Sequence, residues 1–206
     1  MSSSYRFFSL SLGSLLILSA CTQPYMPPTH YPDHQSFVQS PKYLTTRDAY
    51  VNPHFLGKTQ AKKRIIIHLA QQRGILNVDG QVAMDFPINI GTPSGIKLMP
   101  GNYRISQKIE QTAASHFGNI YKQKPSETTG ICVKENVLPN AKTSQHEFFQ
   151  YQKLIKWLRI GDTPYGFHIS DIKEKNTPYL EYLGISPGTA DTLFAEVKEG
   201  TPVEVI

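Results

Sequence analysis

Two apolar runs joined by Asp79-Gly80 constrain the fold of this chain more than any other feature. Gly74-Ile75-Leu76-Asn77-Val78 precedes that dipeptide and Gln81 to Ile90 follows it. Asp-Gly between alternating apolar segments is a strong hairpin signal, because both residues accept the positive φ that a tight type I′ turn needs. Arg64 to Leu69, with three consecutive isoleucines, adds a β-branched strand just before the hairpin. Pro87 lacks an N–H and predicts a bulge or an edge position within the second arm. Further strands are expected at Asn102–Ser106, Thr129–Lys134, Ile155–Ile160 and Tyr165–Ile169, and a terminal strand at Thr201–Ile206. Ser186-Pro187 reads as a helix start, with Ser as cap and Pro at the first helical position. Leu193, Phe194 and Val197 then share a face, and Gly200 is expected to close the helix. Residues 108–152 show mixed polarity and no clear period. The expected fold class is mainly β with a few short helices, in one domain over residues 62–206.

The N-terminal part is of another kind. Arg6 is followed by an apolar run from Phe7 to Ala20, too short for a comfortable membrane span of about 20 residues but suited to a secretory signal. Its end, Leu18-Ser19-Ala20-Cys21, resembles a bacterial lipobox. That resemblance implies a signal peptide at 1–20 and a lipid on Cys21, whose acyl chains would hold an exported domain at a membrane surface. Thr22, in place of Asp, implies by the same resemblance the outer membrane of a Gram-negative cell. Six prolines between Pro24 and Pro53 and the lack of apolar periodicity make 21–61 a semi-rigid tether.

Charge and cysteine content exclude several functions. The formal net charge is +5, of which Arg6 leaves with the leader. No basic stretch exceeds Lys62-Lys63-Arg64, so no nucleic-acid partner is expected. With Cys21 lipidated, Cys132 is the only other cysteine, which rules out a disulfide framework and a thiolate-rich zinc site. His30, His34 and His54 are too irregularly spaced for a metal tract. Gly91 to Gly95 lacks the Lys and the following helix of a phosphate-cradling loop, so no cofactor is expected.

A family pattern emerges from the order of the segments. The opening hairpin, Ile90-Gly91-Thr92-Pro93-Ser94-Gly95 and Pro100-Gly101-Asn102-Tyr103-Arg104-Ile105 are similar to the start of an L,D-transpeptidase catalytic domain. Trp157-Leu158-Arg159-Ile160 with Tyr165-Gly166-Phe167-His168 resembles the segment that carries that family's histidine. The terminal helix and Gly200-Thr201-Pro202-Val203 resemble its closing elements. The resemblance spans nearly all of 62–206 and implies a β-sandwich or barrel-like domain acting on peptidoglycan stem peptides. In that family a cysteine thiolate attacks a peptide carbonyl, a histidine activates the thiol, and backbone N–H groups hold the oxyanion.

His168 matches the histidine. The Ser-His-Gly-Cys-x-Arg motif that should follow is missing. Its cysteine slot falls at Tyr182 or Leu183, and Arg159 is the last arginine in the chain. Gly184-Ile185-Ser186-Pro187-Gly188 fits the string of a hydrolase elbow, but Pro187 has no N–H to give an oxyanion, and Ser186 is better explained as a helix cap. Cys132, between Ile131 and Val133, has the surroundings of an inert buried thiol and is the remaining candidate nucleophile. His168 is then a vestigial base. Three functions follow: a catalytically degenerate envelope lipoprotein that binds peptidoglycan or a wall enzyme, an active transpeptidase with a displaced nucleophile, or a structural lipoprotein without a wall ligand.

Overall fold

The computed structural model describes residues 31–90, 98–122, 131–137, 143–144, 147–170 and 182–206, the side chains of 115–117, 131 and 133–137 excepted. In chain order these form α1 (His34–Val38), β1 (Tyr50–Val51), a short 3-10 turn at Pro53–Phe55, β2 (Lys63–His68), β3 (Arg73–Val78), β4 (Gln81–Pro87), β5 (Gly101–Lys122), β6 (Ile131–Val137), β7 (Glu147–Ile160), β8 (Gly166–Ile169), β9 (Tyr182–Ile185), α2 (Pro187–Glu196) and β10 (Pro202–Val205). The strands make a sheet of order β1-β4-β3-β2-β10-β5-β7-β8-β9, with β6 on β5. Mainly β with short helices is therefore the architecture.

The expected hairpin is present. Asp79 and Gly80 have φ of 50° and 84°, and β3 pairs antiparallel with β4 through a register shift at Leu76/Asn77. Pro87 ends β4. One face of β2, β3 and β4 delivers Ile65, Ile67, Leu76, Val78, Met84 and Phe86 to the main core, the alternation expected of a half-buried sheet. Terminal β10 lies between β2, which it joins in parallel, and β5, which it joins antiparallel.

Helix α2 closes this core with Ala190, Leu193 and Phe194. Ser186 is its cap, accepting from Thr189 N–H. The helix stops at Glu196, before the expected Gly200. Lys63 Nζ donates to Glu196 O and Lys108 Nζ to Val197 O, both at 2.9 Å, so two ammonium groups meet the negative helix end. Burial holds the Lys108 ammonium below its ordinary value, with Lys156 and Lys63 adding to the effect and Glu110 opposing it. Gly200 instead occupies a turn at φ 83° that leads into β10.

Within the segment without a period, residues 108–122 and 147–152 belong to two unusually long strands. β5 runs for 22 residues and β7 for 14, against a usual range of about 3–10. Their outer halves pair with each other and, through β5, with β6. Phe148, Tyr151 and Ile155 stay exposed there, so side chains do not alternate cleanly between core and solvent.

The tether boundary needs correction: from Tyr31 onward the N-terminal segment packs on the domain. β1 pairs with β4, placing Tyr50 opposite Asp85. Phe37 is 1% exposed, and its ring meets those of Tyr31, Tyr43 and Tyr50 at 5.1–5.8 Å. The polar centre of the contact is Asp85, 0% exposed. One carboxylate oxygen accepts from Arg73 Nε at 2.8 Å; the other accepts from Tyr43 OH at 2.9 Å and lies 2.8 Å from His34 Nε2. The Arg73 guanidinium lies over the Phe37 and Tyr43 rings. Burial first and the Asp85 charge second push the Tyr43 phenol up to about 12, so it remains a donor at neutral pH. Six prolines and no periodicity describe the local chain; they do not report the aromatic and ionic contacts that dock it.

Candidate functional site

The segment carrying His168 is organised by β8. β8 pairs antiparallel with β7, Leu158 opposite Phe167, and parallel with β9, where Phe167 faces Leu183 and His168 faces Gly184. Period-two alternation sends Phe167, Leu183 and Ile185 into the main core. Gly166, His168, Tyr182 and Gly184 share the opposite face. There Tyr182 joins Trp157, Leu154 and Ala114 in a second apolar cluster. Gly166 must lack a side chain, because a Cβ would stand 2.7 Å from Leu158 O and from the Trp157 ring.

His168 is 3% exposed. Its Nδ1 accepts the Ile155 N–H at 2.8 Å, so the neutral ring carries its proton on Nε2. The histidine thereby completes the hydrogen bonding of β7 where β8 no longer runs beside it. Nδ1 also lies 3.1 Å from Ile155 O, to which the ring could donate only with a proton on Nδ1. Burial pushes the imidazole down to about 4, with the Ile155 carbonyl opposing. The Tyr182 ring meets His168 edge to face, centroids 5.0 Å apart and planes at 82°. Tyr182 is 6% exposed and Leu183 is fully buried. Both candidates for the cysteine slot are thus packing residues, and one of them leans on the histidine.

Cys132 lies elsewhere. It pairs across β5 with Tyr121, itself opposite Phe148 of β7, whereas His168 bonds at Ile155. Seven residues of β7 separate these levels, about 20 Å at the rise of a strand, so the structure does not bring His168 and Cys132 together. Cys132 is half-buried. Ser186 Oγ is engaged as the helix cap and with Thr189 Oγ1 at 2.9 Å. Arg159 Nε donates to Thr163 O and holds the β7–β8 turn. Cys21 and residues 91–97 lie outside the described residues, so the anchor and the Thr-Pro-Ser-Gly segment have no structural account.

His34 lies against Asp85 and His54 against Phe55. Among the described residues no three His, Cys, Asp or Glu side chains are grouped to hold a metal, and no helix is long and apolar enough to cross a membrane. An open depression of about 780 Å³ lies at the other end of β8, lined by Arg64, Tyr103, Arg104, Asp162 and Glu204 among others. Its charges are partly engaged: Arg64 pairs with Glu204 at 3.3 Å and Arg104 donates to Gly200 O. These residues come from four separate segments, and no sequence motif joins them.

No family model matches this chain, and no curated protein matches it significantly. Solved structures do. An L,D-transpeptidase from Mycobacterium smegmatis is 13% identical with a TM-score of 0.48, over 71% of this chain and 59% of that one. L,D-transpeptidase 1 of Mycobacterium tuberculosis is 15% identical with a TM-score of 0.46, over 71% and 62%. A mutant Enterococcus faecium L,D-transpeptidase is 20% identical with a TM-score of 0.45, over 70% and 50%. The chain thus spans between half and two thirds of the length of these similar structures.

Proposed function

We propose that this chain is an exported lipoprotein, anchored through Cys21, whose L,D-transpeptidase-like domain binds peptidoglycan stem peptides or a wall enzyme without performing acyl transfer. The observation that carries the non-catalytic part is the packing of Tyr182 against His168. General-base activation of a thiol requires the base within hydrogen-bond reach of it. Here the slot residue is an aromatic ring, its neighbour Leu183 is core, and the ring nitrogen Nδ1 takes a backbone N–H. The wall-associated part rests on the ordered motifs from the opening hairpin to Gly200-Thr201-Pro202-Val203. The small positive net charge suits an anionic polymer.

Purified sacculi test the binding. The chain is expected to sediment with them and to be displaced by soluble stem peptides. A chain left entirely in the supernatant, with and without other envelope proteins present, contradicts the proposal and leaves a structural lipoprotein without a wall ligand.

A further inference from the structure

The docked N-terminal segment bears on how far the domain can stand from a membrane. His34, Phe37 and Tyr43 pack on Asp85 and Arg73, on the face of β3 and β4 opposite the main core, while Ala49 and Val51 pack against that core beside β4. Three features hold the segment there. Phe37 is buried among Tyr31, Tyr43 and Tyr50. His34 and Tyr43 converge on one oxygen of Asp85. β1 and Asn52 add backbone pairing to β4, with Asn52 N–H donating to Ala83 O at 2.8 Å. A loose tether has no use for a buried carboxylate that binds it from 42 and 51 residues away in sequence.

We infer that residues 31–51 form a clamp that sets the distance between the domain and the lipid surface holding Cys21. This rests on the anchor proposed above. Tyr31 lies ten positions after Cys21, a reach of at most about 35 Å when fully extended. Were the segment loose as far as Tyr50, the reach would be about 100 Å. The clamp thus shortens the greatest standoff roughly threefold. It also fixes which face is tied down, because the segment enters over the side of β3 and β4 that carries Arg73 and Asp85. The partner class this favours is one held close to the same membrane.

The test uses the full lipidated chain on vesicles of phosphatidylethanolamine and phosphatidylglycerol, with a donor dye attached after Ile206 and an acceptor dye on lipid. Phe37→Ser removes the buried ring from the clamp, and with it one of the two rings under the Arg73 guanidinium, while leaving the Arg73–Asp85 ion pair in place. H34A/Y43F is the milder companion, deleting both side-chain hydrogen bonds of the segment to Asp85, should the first variant unfold. Energy transfer is expected to fall in the variants. Trypsin is expected to cut after Lys42 and Arg47 in the variants at least tenfold faster than in the wild type, while the rest of the domain stays intact. A vesicle-bound wild type with the same transfer and the same cleavage rate as both folded variants overturns the clamp and leaves the anchor standing. A wild type that does not bind vesicles overturns the anchor and the standoff with it; cleavage at Lys42 and Arg47 still reports whether the segment is docked.

Discussion

Asp85→Ala is expected to destabilise the domain by about 3–5 kcal/mol, the cost of removing one partner from a buried ion pair. The size follows from what Asp85 leaves behind. Arg73 is 1% exposed, and its Nη2 already lacks a partner among the described residues. Without Asp85 its full charge is buried and uncompensated, while His34 and Tyr43 lose the acceptor that docks their segment. For a domain of this size the loss corresponds to about 10 °C in Tm. Replacing both members by apolar residues, Arg73→Met with Asp85→Leu, is expected to recover most of the loss, because no charge then remains to be solvated. Urea denaturation decides it. A single substitution that costs less than about 0.5 kcal/mol, the scale of surface changes, contradicts the buried cluster as drawn.

The second large effect is a loss of stability in mild acid, traced to His168. Its folded pKa is pushed down to about 4 from an ordinary 6.5. Between these values the unfolded chain binds a proton that the folded chain refuses, so stability rises with pH across this window and falls as the solution is acidified. The contribution is intact above pH 6.5. About 2 kcal/mol of it is lost by pH 5, approaching about 3 kcal/mol below pH 4. Carboxylates contribute slopes of their own, so the comparison is with His168→Gln. That side chain can still accept the Ile155 N–H but does not titrate. The stability difference between wild type and variant is expected to change by about 2 kcal/mol from pH 7 to pH 5. Parallel pH profiles would mean that His168 reaches solvent and is available as a base.

What could be foreseen from the residues divides along physical lines. The β3–β4 hairpin was legible because Asp79-Gly80 supplies two positive-φ residues and the flanking runs alternate. The start of α2 was legible because a cap and an N1 proline are local signals. Its end was not, since two lysines from distant strands meet the last carbonyls. Of β5 and β7, Asn102–Ser106 and Ile155–Ile160 were legible, whereas the half-exposed outer parts were hidden because their faces do not differ enough in polarity. Residues 31–51 were hidden because their stability comes from Asp85 and from rings brought together in space. At the candidate site the family resemblance puts the expected cysteine slot at Tyr182 or Leu183. That Tyr182 packs on His168 depends on the parallel β8–β9 pairing, which no local pattern announces. The distance of Cys132 from His168 likewise depends on the strand register.

Under the proposed function the site around His168 holds no working nucleophile. Intact mass measurement of the full chain, after incubation with a carbapenem and separately with a stem tetrapeptide, tests it most directly. The expected result is an unchanged mass with both compounds and no release of D-alanine. An acyl adduct mapped to Cys132 or Ser186, accompanied by D-alanine release from the tetrapeptide, would contradict the account.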